Sequence, residues 1–310
     1  MAHHLIHLGM QRSGSTFLYQ LLRQSSAISA TPQKELVFFK HSPDRSYASY
    51  LTHFDTSKPV TFENSPVYFR SGELIAPRIA EALRGRPVTL SLVLRNPITY
   101  LKSHYELQAR RAPAAGAGAR DRSSSLLELL QRNPDYLDRC RYAHILESSW
   151  LREFPREAIE IFFFEEFVAA PREVVGRLMA VCGAGSTEEI SLEGAFTNAE
   201  PKAAWVEKAG RLLRRYPQLR RGLSGVTGNA RVRDFVFKLG YKAQRGASTI
   251  DADDGAEVDD YIRDAVQQDM DRLRDLVGRD RLPWAEFQDK GSREPMVDSE
   301  TGPSAPPRGR

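Results

Sequence analysis

Two cysteines in 310 residues, Cys140 and Cys182, are too few for a disulfide-stapled secreted scaffold. They stand far apart in segments of helical pattern and are expected as buried free thiols. No run approaches the roughly 18 apolar residues of a membrane span. The chain enters its first apolar run, Leu5-Ile6-His7-Leu8, almost at once. No signal peptide is therefore expected, and the expected compartment is the cytoplasm. There is no internal repeat, which excludes a solenoid. Clusters of His and Cys at ligand spacing are also missing. The His3-His4 pair reads as a solvated terminus, and no metal is expected.

What is present is the composition of a globular protein, 41% hydrophobic and 27% charged, in a chain long enough to bury a sizeable core. The net charge of +4 hides an asymmetry. Between Val206 and Arg245 eleven Lys and Arg face only Glu207 and Asp234. Three readings stay open for this stretch: a solvated helix face, a peripheral contact with an anionic membrane, or a groove for an acidic substrate. Nucleic acid is not expected as a partner, because no recognised binding motif accompanies the charge.

The stretch that organises the chain is Gly9-Met10-Gln11-Arg12-Ser13-Gly14-Ser15-Thr16. An apolar strand pattern precedes it, and Phe17, Leu18, Leu21 and Leu22 follow at helical spacing. Strand, glycine loop and helix make a phosphate cradle. The first-turn N–H groups face the anion, and the helix end adds roughly half a positive charge. The spacing follows G-x-x-x-x-G-K-[ST] except that Ser15 stands where a nucleotide triphosphatase carries lysine. The cation has moved to Arg12, which suits a single terminal phosphate better than a β/γ pair with magnesium.

Further strands are expected at Ala27–Ala30, Pro59–Phe62, Val88–Leu94 and Ala158–Phe164. Helices are expected at Glu73–Leu83, from Pro97 onward, over Pro134–Phe154, at Pro171–Val181 and at Val258–Val277. This alternation predicts a doubly wound α/β fold with a parallel sheet, a P-loop-like phosphate loop and a helical C-terminal part in one domain. Residues 111–125 read as a flexible loop, 200–250 as a basic acceptor-side region and 290–310 as a disordered tail. Two further features bear on chemistry. Lys34-Glu35 precedes Leu36-Val37-Phe38-Phe39, where a carboxylate could serve as a general base. Arg95, at the end of the clearest strand, and Ser103, eight residues on, could grip a second phosphate.

In this order the motifs resemble the sulfotransferases that use 3'-phosphoadenosine 5'-phosphosulfate, over residues 4 to about 287. Gly9–Leu18 resembles the family's loop for the 5'-phosphosulfate, and Leu92–Ser103 its loop for the 3'-phosphate. Lys34-Glu35 with Phe38-Phe39, and Glu63-Asn64-Ser65-Pro66-Val67-Tyr68-Phe69, are similar to the branch that sulfates heparan-type glycans. That branch usually carries lysine where this chain has Asn64, so one cation is absent or replaced by Lys34. Its animal members also have a membrane anchor and a disulfide that this chain lacks. The resemblance implies a sulfotransferase domain over residues 1–289, of bacterial cytoplasmic type, acting on a sugar, lipid or secondary metabolite.

The implied cofactor is 3'-phosphoadenosine 5'-phosphosulfate, with adenosine 3',5'-bisphosphate as product. Gln11, Arg12, Ser13, Gly14, Ser15, Thr16, Arg95 and Ser103 are the implied nucleotide contacts, and Glu35, Lys34 and Arg12 the implied catalytic residues. Two other classes remain open: a small-molecule kinase with a variant phosphate loop, and a non-catalytic anion-binding protein.

Overall fold

In the computed structural model, which describes residues 2–42, 44–111, 125–193 and 254–288, the first apolar run becomes strand β1 (His3–Gly9). Helix α1 (Ser15–Leu22) follows, burying Phe17, Leu18, Leu21 and Leu22 along one face. Next come the short strand β2 (Ile28–Ala30), two brief helices α2 (Phe38–His41) and α3 (Tyr47–Leu51), and strand β3 (Val60–Asn64). Helix α4 (Gly72–Ala82) leads to β4 (Val88–Leu94), buried along almost its whole length. Asn96 then caps α5 (Pro97–Arg111), its Oδ1 accepting from Ile98 N at 2.9 Å, while Pro97 occupies a first turn that needs no donor.

Helix α6 (Leu126–Arg132) opens the second half. The single helix expected over Pro134–Phe154 is not formed. The segment divides into a 3-10 turn (Pro134–Cys140), α7 (Tyr142–Ile145), a π-helical turn (Leu146–Trp150) and α8 (Leu151–Glu153). Two side chains account for the breaks. Asp269 accepts from Ala143 N and His144 N at 3.0 and 2.9 Å, which fixes a new helix start. Ser149 Oγ donates to Ile145 O at 2.6 Å and competes with the backbone ladder. Strand β5 (Ile159–Phe163) and helices α9 (Phe164–Ala169), α10 (Pro171–Cys182) and α11 (Asp254–Leu276) follow, with 3-10 turns at Phe69–Ser71, Arg156–Ala158 and Ala285–Phe287.

All five strands are parallel, in the order β2-β3-β1-β4-β5. The fold is the doubly wound α/β architecture that the alternation of patterns predicts. Successive strand residues serve opposite faces. Leu5, Phe62 and Val93 pack with Leu18 of α1 and Leu178 of α10, whereas Ile6, Leu92 and Phe163 pack with Ile75 of α4, Leu101 of α5 and Val266 of α11. The chain adds β2 and β3 on one side of β1 and then β4 and β5 on the other. The carboxyl ends of β3, β1 and β4 therefore flank the crevice where such sheets bind ligands.

His3 and His4 are not a solvated terminus: both lie in β1, His4 fully buried, paired with Thr89 Oγ1 at 2.8 Å and Thr61 Oγ1 at 2.7 Å. The buried stripe of α5 is Ile98, Tyr100, Leu101 and His104, with Tyr105 and Leu107 half-buried, because His104 pairs inward with the Tyr136 hydroxyl. The strand at Ala158–Phe164 ends a residue early, at Phe163, and Phe164 begins α9. Of residues 111–125 only the two ends are described, and 200–250 and 290–310 lie outside the described residues. Among the described residues no helix is long and apolar enough to cross a membrane.

Candidate functional site

Between β1 and α1 the chain turns where only glycine fits. A Cβ on Gly9 would stand 3.0 Å from Pro66 O, and one on Gly14, at φ 80°, would stand 3.0 Å from Phe167 Cε1. Between them Ser13 N donates to Met10 O at 3.3 Å, and Arg12 takes a left-handed φ of 66°. No side chain caps Gly14. The first-turn N–H groups of α1 have no intrahelical acceptors and face the loop. Ser13 is fully buried, and its hydroxyl has no hydrogen-bond partner. Gln11 and Thr16 are half-buried, Ser15 is buried and Arg12 is exposed. The loop is an open cradle with a cation on its rim.

The second loop meets the first. Arg95, 9% exposed, donates from Nη1 to Arg12 O at 2.8 Å and from Nε to Thr99 Oγ1 at 3.1 Å. Its guanidinium stands 4.8 Å from the ring centre of Phe164. Ser103 Oγ accepts from Arg12 Nε at 3.1 Å. The C-terminal part of the chain buttresses this corner. Tyr142 OH donates to Arg95 O at 2.8 Å, Asn96 Nδ2 to Glu286 Oε2 at 3.0 Å, and Trp284 Nε1 to Glu165 Oε2 at 2.9 Å. Thr99 carries no motif signal, and the run Phe164-Glu165-Glu166-Phe167, which resembles part of the family pattern, gains its place here only through the fold.

Glu35 lies on the other side of the crevice, at φ 68°, with Lys34 Nζ on its Oε1 at 2.8 Å. Asn64 ties this segment to the cradle. Its carbonyl accepts from Glu35 N at 2.8 Å, and its Nδ2 donates to Ser15 O at 2.7 Å. Asn64 is thus a buried brace between the Glu35 segment and the first helix. Lys34 acts nearby. His7, at the carboxyl end of β1, is held neutral with its pKa at about 3, first by burial and then by the Lys34 charge. Its Nδ1 pairs with Ser91 Oγ at 3.0 Å, and its Nε2 has no partner.

Behind Glu35 lies a device to which the motif reading assigns no role. Glu63 is fully buried on β3, and burial raises its pKa. Its Oε1 accepts from Ser65 Oγ at 2.7 Å and from Tyr68 OH at 2.6 Å. Those hydroxyls in turn accept from Val37 N and Phe39 N, each at 2.9 Å. The carboxyl orients two hydroxyls so that their lone pairs meet the backbone of the segment bearing Glu35. A glutamate preceding Ser-x-x-Tyr is the available sequence signal, but only the folded contacts give it meaning. Among the described residues no group of three or more His, Cys, Asp or Glu could hold a metal ion.

A parallel sheet with a lysine-free phosphate loop after its first strand defines a class, the P-loop-like α/β proteins. The Sulfotransferase domain family matches residues 2–226, well over half of the sequence, and the chain belongs to that family. Among solved structures, a sulfotransferase from Alicyclobacillus acidocaldarius is similar at a TM-score of 0.58 and 18% identity, over 91% of this chain and 98% of that one. It shares the fold. The sulfotransferase domain from the curacin biosynthetic pathway is more distant, at a TM-score of 0.41 and 13% identity over 63% of this chain and 78% of that one. No curated protein matches the sequence.

Proposed function

We propose that the protein transfers the sulfuryl group of 3'-phosphoadenosine 5'-phosphosulfate to a hydroxyl, or an amine, of a sugar, lipid or secondary metabolite. The observation that carries this reading is the meeting of two loops 83 residues apart, with Arg95 Nη1 on Arg12 O at 2.8 Å and Arg12 Nε on Ser103 Oγ at 3.1 Å. A nucleotide with an anion at each end suits such a paired site. The orphaned, buried Ser13 hydroxyl and the uncapped start of α1 fit one of those anions.

When bound, the nucleotide supplies the activated sulfuryl group and a good leaving phosphate. The N–H groups and hydroxyls of Ser13–Thr16, with Gln11 and Arg12, hold the 5' end. Arg95 and Ser103 hold the 3'-phosphate and take no part in the chemistry. Lys34 and Arg12 neutralise the charge that develops on oxygen. Glu35 accepts the proton of the acceptor hydroxyl, a contribution of about 10² to 10⁴ in rate for a positioned base. Asn64 keeps base and cradle at a fixed separation by bonding Glu35 N and Ser15 O. The same reading makes residues 1–289 one domain, with 200–250 on the acceptor side.

Calorimetric titration with adenosine 3',5'-bisphosphate, in parallel with ATP and magnesium, tests the cofactor. Selective, metal-independent binding of the bisphosphate is expected; binding of ATP alone would overturn the assignment in favour of a kinase. Glu35→Gln is expected to keep the bisphosphate affinity and to lose turnover at least a hundredfold. Normal turnover in that variant would remove Glu35 as the base.

A further inference from the structure

After α11, residues 279–287 lie against the segments that follow β4 and β5, and three side chains fasten them there. Arg279 donates from Nη1 and Nη2 to the two carboxylate oxygens of Glu166, the second at 3.0 Å, and its guanidinium stands 4.6 Å from the ring centre of Phe163. Trp284 is buried among the rings of Phe163, Tyr142 and Phe287, at centroid distances of 5.2, 6.2 and 6.3 Å. Its Nε1 donates to Glu165 Oε2 at 2.9 Å. Glu286, itself exposed, accepts from Asn96 Nδ2 at 3.0 Å.

These contacts end on the frame of both phosphate loops. Glu165 and Glu166 lie in the first turn of α9, a helix of six residues that is too short to be stable alone. The same helix touches each loop. A Gly14 Cβ would stand 3.0 Å from Phe167 Cε1 and 3.5 Å from Phe164 Cε2, and the Arg95 guanidinium stands 4.8 Å from the Phe164 ring centre. Glu165 turns its other oxygen, Oε1, to Asn96 N at 3.3 Å. Asn96 is thereby committed at every polar atom. Its N meets Glu165 and its Nδ2 meets Glu286, while its O accepts from Tyr100 N at 2.8 Å and its Oδ1 from Ile98 N and Thr99 N at 2.9 and 3.3 Å. Thr99 Oγ1 in turn accepts from Arg95 Nε at 3.1 Å. The Asn96 amide is fixed on one side by Glu286 and on the other by α5. Rotating it would uncap α5 and disturb Thr99, the contact that aims Arg95.

We propose that residues 279–287 form a strap that sets the grip on the 3'-phosphate, with Trp284 and Glu286 as positioning residues that act through Glu165 and Asn96 on Arg95 and Ser103. This rests on the sulfotransferase reading of the two loops, and it adds a requirement to that reading: the nucleotide site is complete only with the strap seated. Carboxylates beside an anion site are repulsive in themselves. Glu165 and Glu286 have a reason to be there because their oxygens are spent on the N–H groups that hold the corner.

The test compares adenosine 3',5'-bisphosphate with adenosine 5'-monophosphate, which lacks the 3'-phosphate, by calorimetry on the full chain and three variants. Glu286→Ala removes an exposed acceptor, Trp284→Phe keeps a buried ring without its N–H, and Glu286→Gln keeps an acceptor without the charge. The preference for the bisphosphate is expected to fall about tenfold in Glu286→Ala and in Trp284→Phe, the worth of one hydrogen bond, and to survive in Glu286→Gln. Monophosphate affinity should stay within about twofold throughout, which a merely structural role would not allow. Equal weakening of both ligands would make the strap a general stabiliser and overturn its role at the 3'-phosphate, as would an unchanged or increased preference in Glu286→Ala. A loss in Glu286→Gln as large as in Glu286→Ala would assign the effect to charge and overturn the positioning role. Failure of the wild type to bind the bisphosphate would instead strike the nucleotide reading. Amide exchange at Ile98 and Thr99 needs no ligand and would still decide the strap: clearly faster exchange in Glu286→Ala is expected, and unchanged exchange would overturn it.

Discussion

Tyr68→Phe probes whether the position of Glu35 depends on the buried Glu63. The Tyr68 hydroxyl donates to Glu63 Oε1 at 2.6 Å and accepts from Phe39 N at 2.9 Å. Removing it leaves the ring in place, so no large cavity forms. It also leaves a buried carboxyl short of a donor and a buried N–H without an acceptor. Each orphaned group costs about 1 to 3 kcal/mol, so a stability loss of about 2 to 6 kcal/mol is expected in urea unfolding. The catalytic effect should be selective. Phe39 and Val37 hold the segment that carries Glu35, whereas the phosphate loop hangs on Met10 N to Val93 O and on Arg95. Turnover should fall tenfold or more while bisphosphate affinity stays within twofold. Ser65→Ala, which frees Val37 N alone, should act in the same direction but less. A Tyr68→Phe protein as stable as wild type would refute the energetic premise. A destabilised protein with full turnover would show that Glu35 is positioned by Asn64 alone.

Other perturbations have simpler outcomes. Arg95→Ala should weaken adenosine 3',5'-bisphosphate about tenfold to a hundredfold, the worth of one charge-assisted hydrogen bond, as read by calorimetry; unchanged affinity would displace the 3'-phosphate site. Burial lowers the pKa of His4 to about 4 and of His7 to about 3 from the usual 6.5. The unfolded chain then binds more protons below pH 6.5, so stability is full above that pH and falls as the medium is acidified towards the folded values. At about 1.4 kcal/mol per pKa unit, roughly 2 kcal/mol per histidine is lost by pH 5, and His7→Gln should flatten this profile; an unchanged slope would refute the assignment. Gly14→Ala, forced into a left-handed φ of 80° against Phe167, should cost about 1 to 3 kcal/mol in thermal unfolding and weaken nucleotide binding.

The fold was legible where burial alone decides structure. Val88–Leu94 is apolar on both faces because its strand is covered on both, and β1 reads the same way apart from its histidines. Those histidines mislead because each finds a hydroxyl on the neighbouring strand, a pairing that no single segment reveals. The segment 134–154 misleads for a similar reason, since Asp269, more than a hundred residues later, sets where its helix begins. In the candidate site, spacing singled out the loop, Arg95 and Ser103, and the fold brings these residues together. It did not mark Thr99, and it gave Glu63 a place in a motif but no role, because that role exists only through contacts with other elements.

Backbone strain is concentrated in the two segments that flank the crevice. Among the described residues, three non-glycine positions have a left-handed backbone: Arg12, Glu35 and Val37. Each costs of order 1 to 2 kcal/mol relative to glycine, so glycine would be the favoured choice if shape alone mattered. At Arg12 and Glu35 the chain keeps a charged side chain instead. All three are held by bonds to or from the ends of the central strands: Arg12 O by Arg95, Glu35 N by Asn64 O, and Val37 N by Ser65 Oγ. A local rule is broken where a charge is needed at a turn, and the rigid sheet supplies the compensation. Val37 is strained without a charged side chain and is carried by the turn next to Glu35, whereas Arg12 and Glu35 keep a charge where glycine would be less strained. The strain itself therefore favours Arg12 and Glu35 as working groups on opposite sides of one crevice.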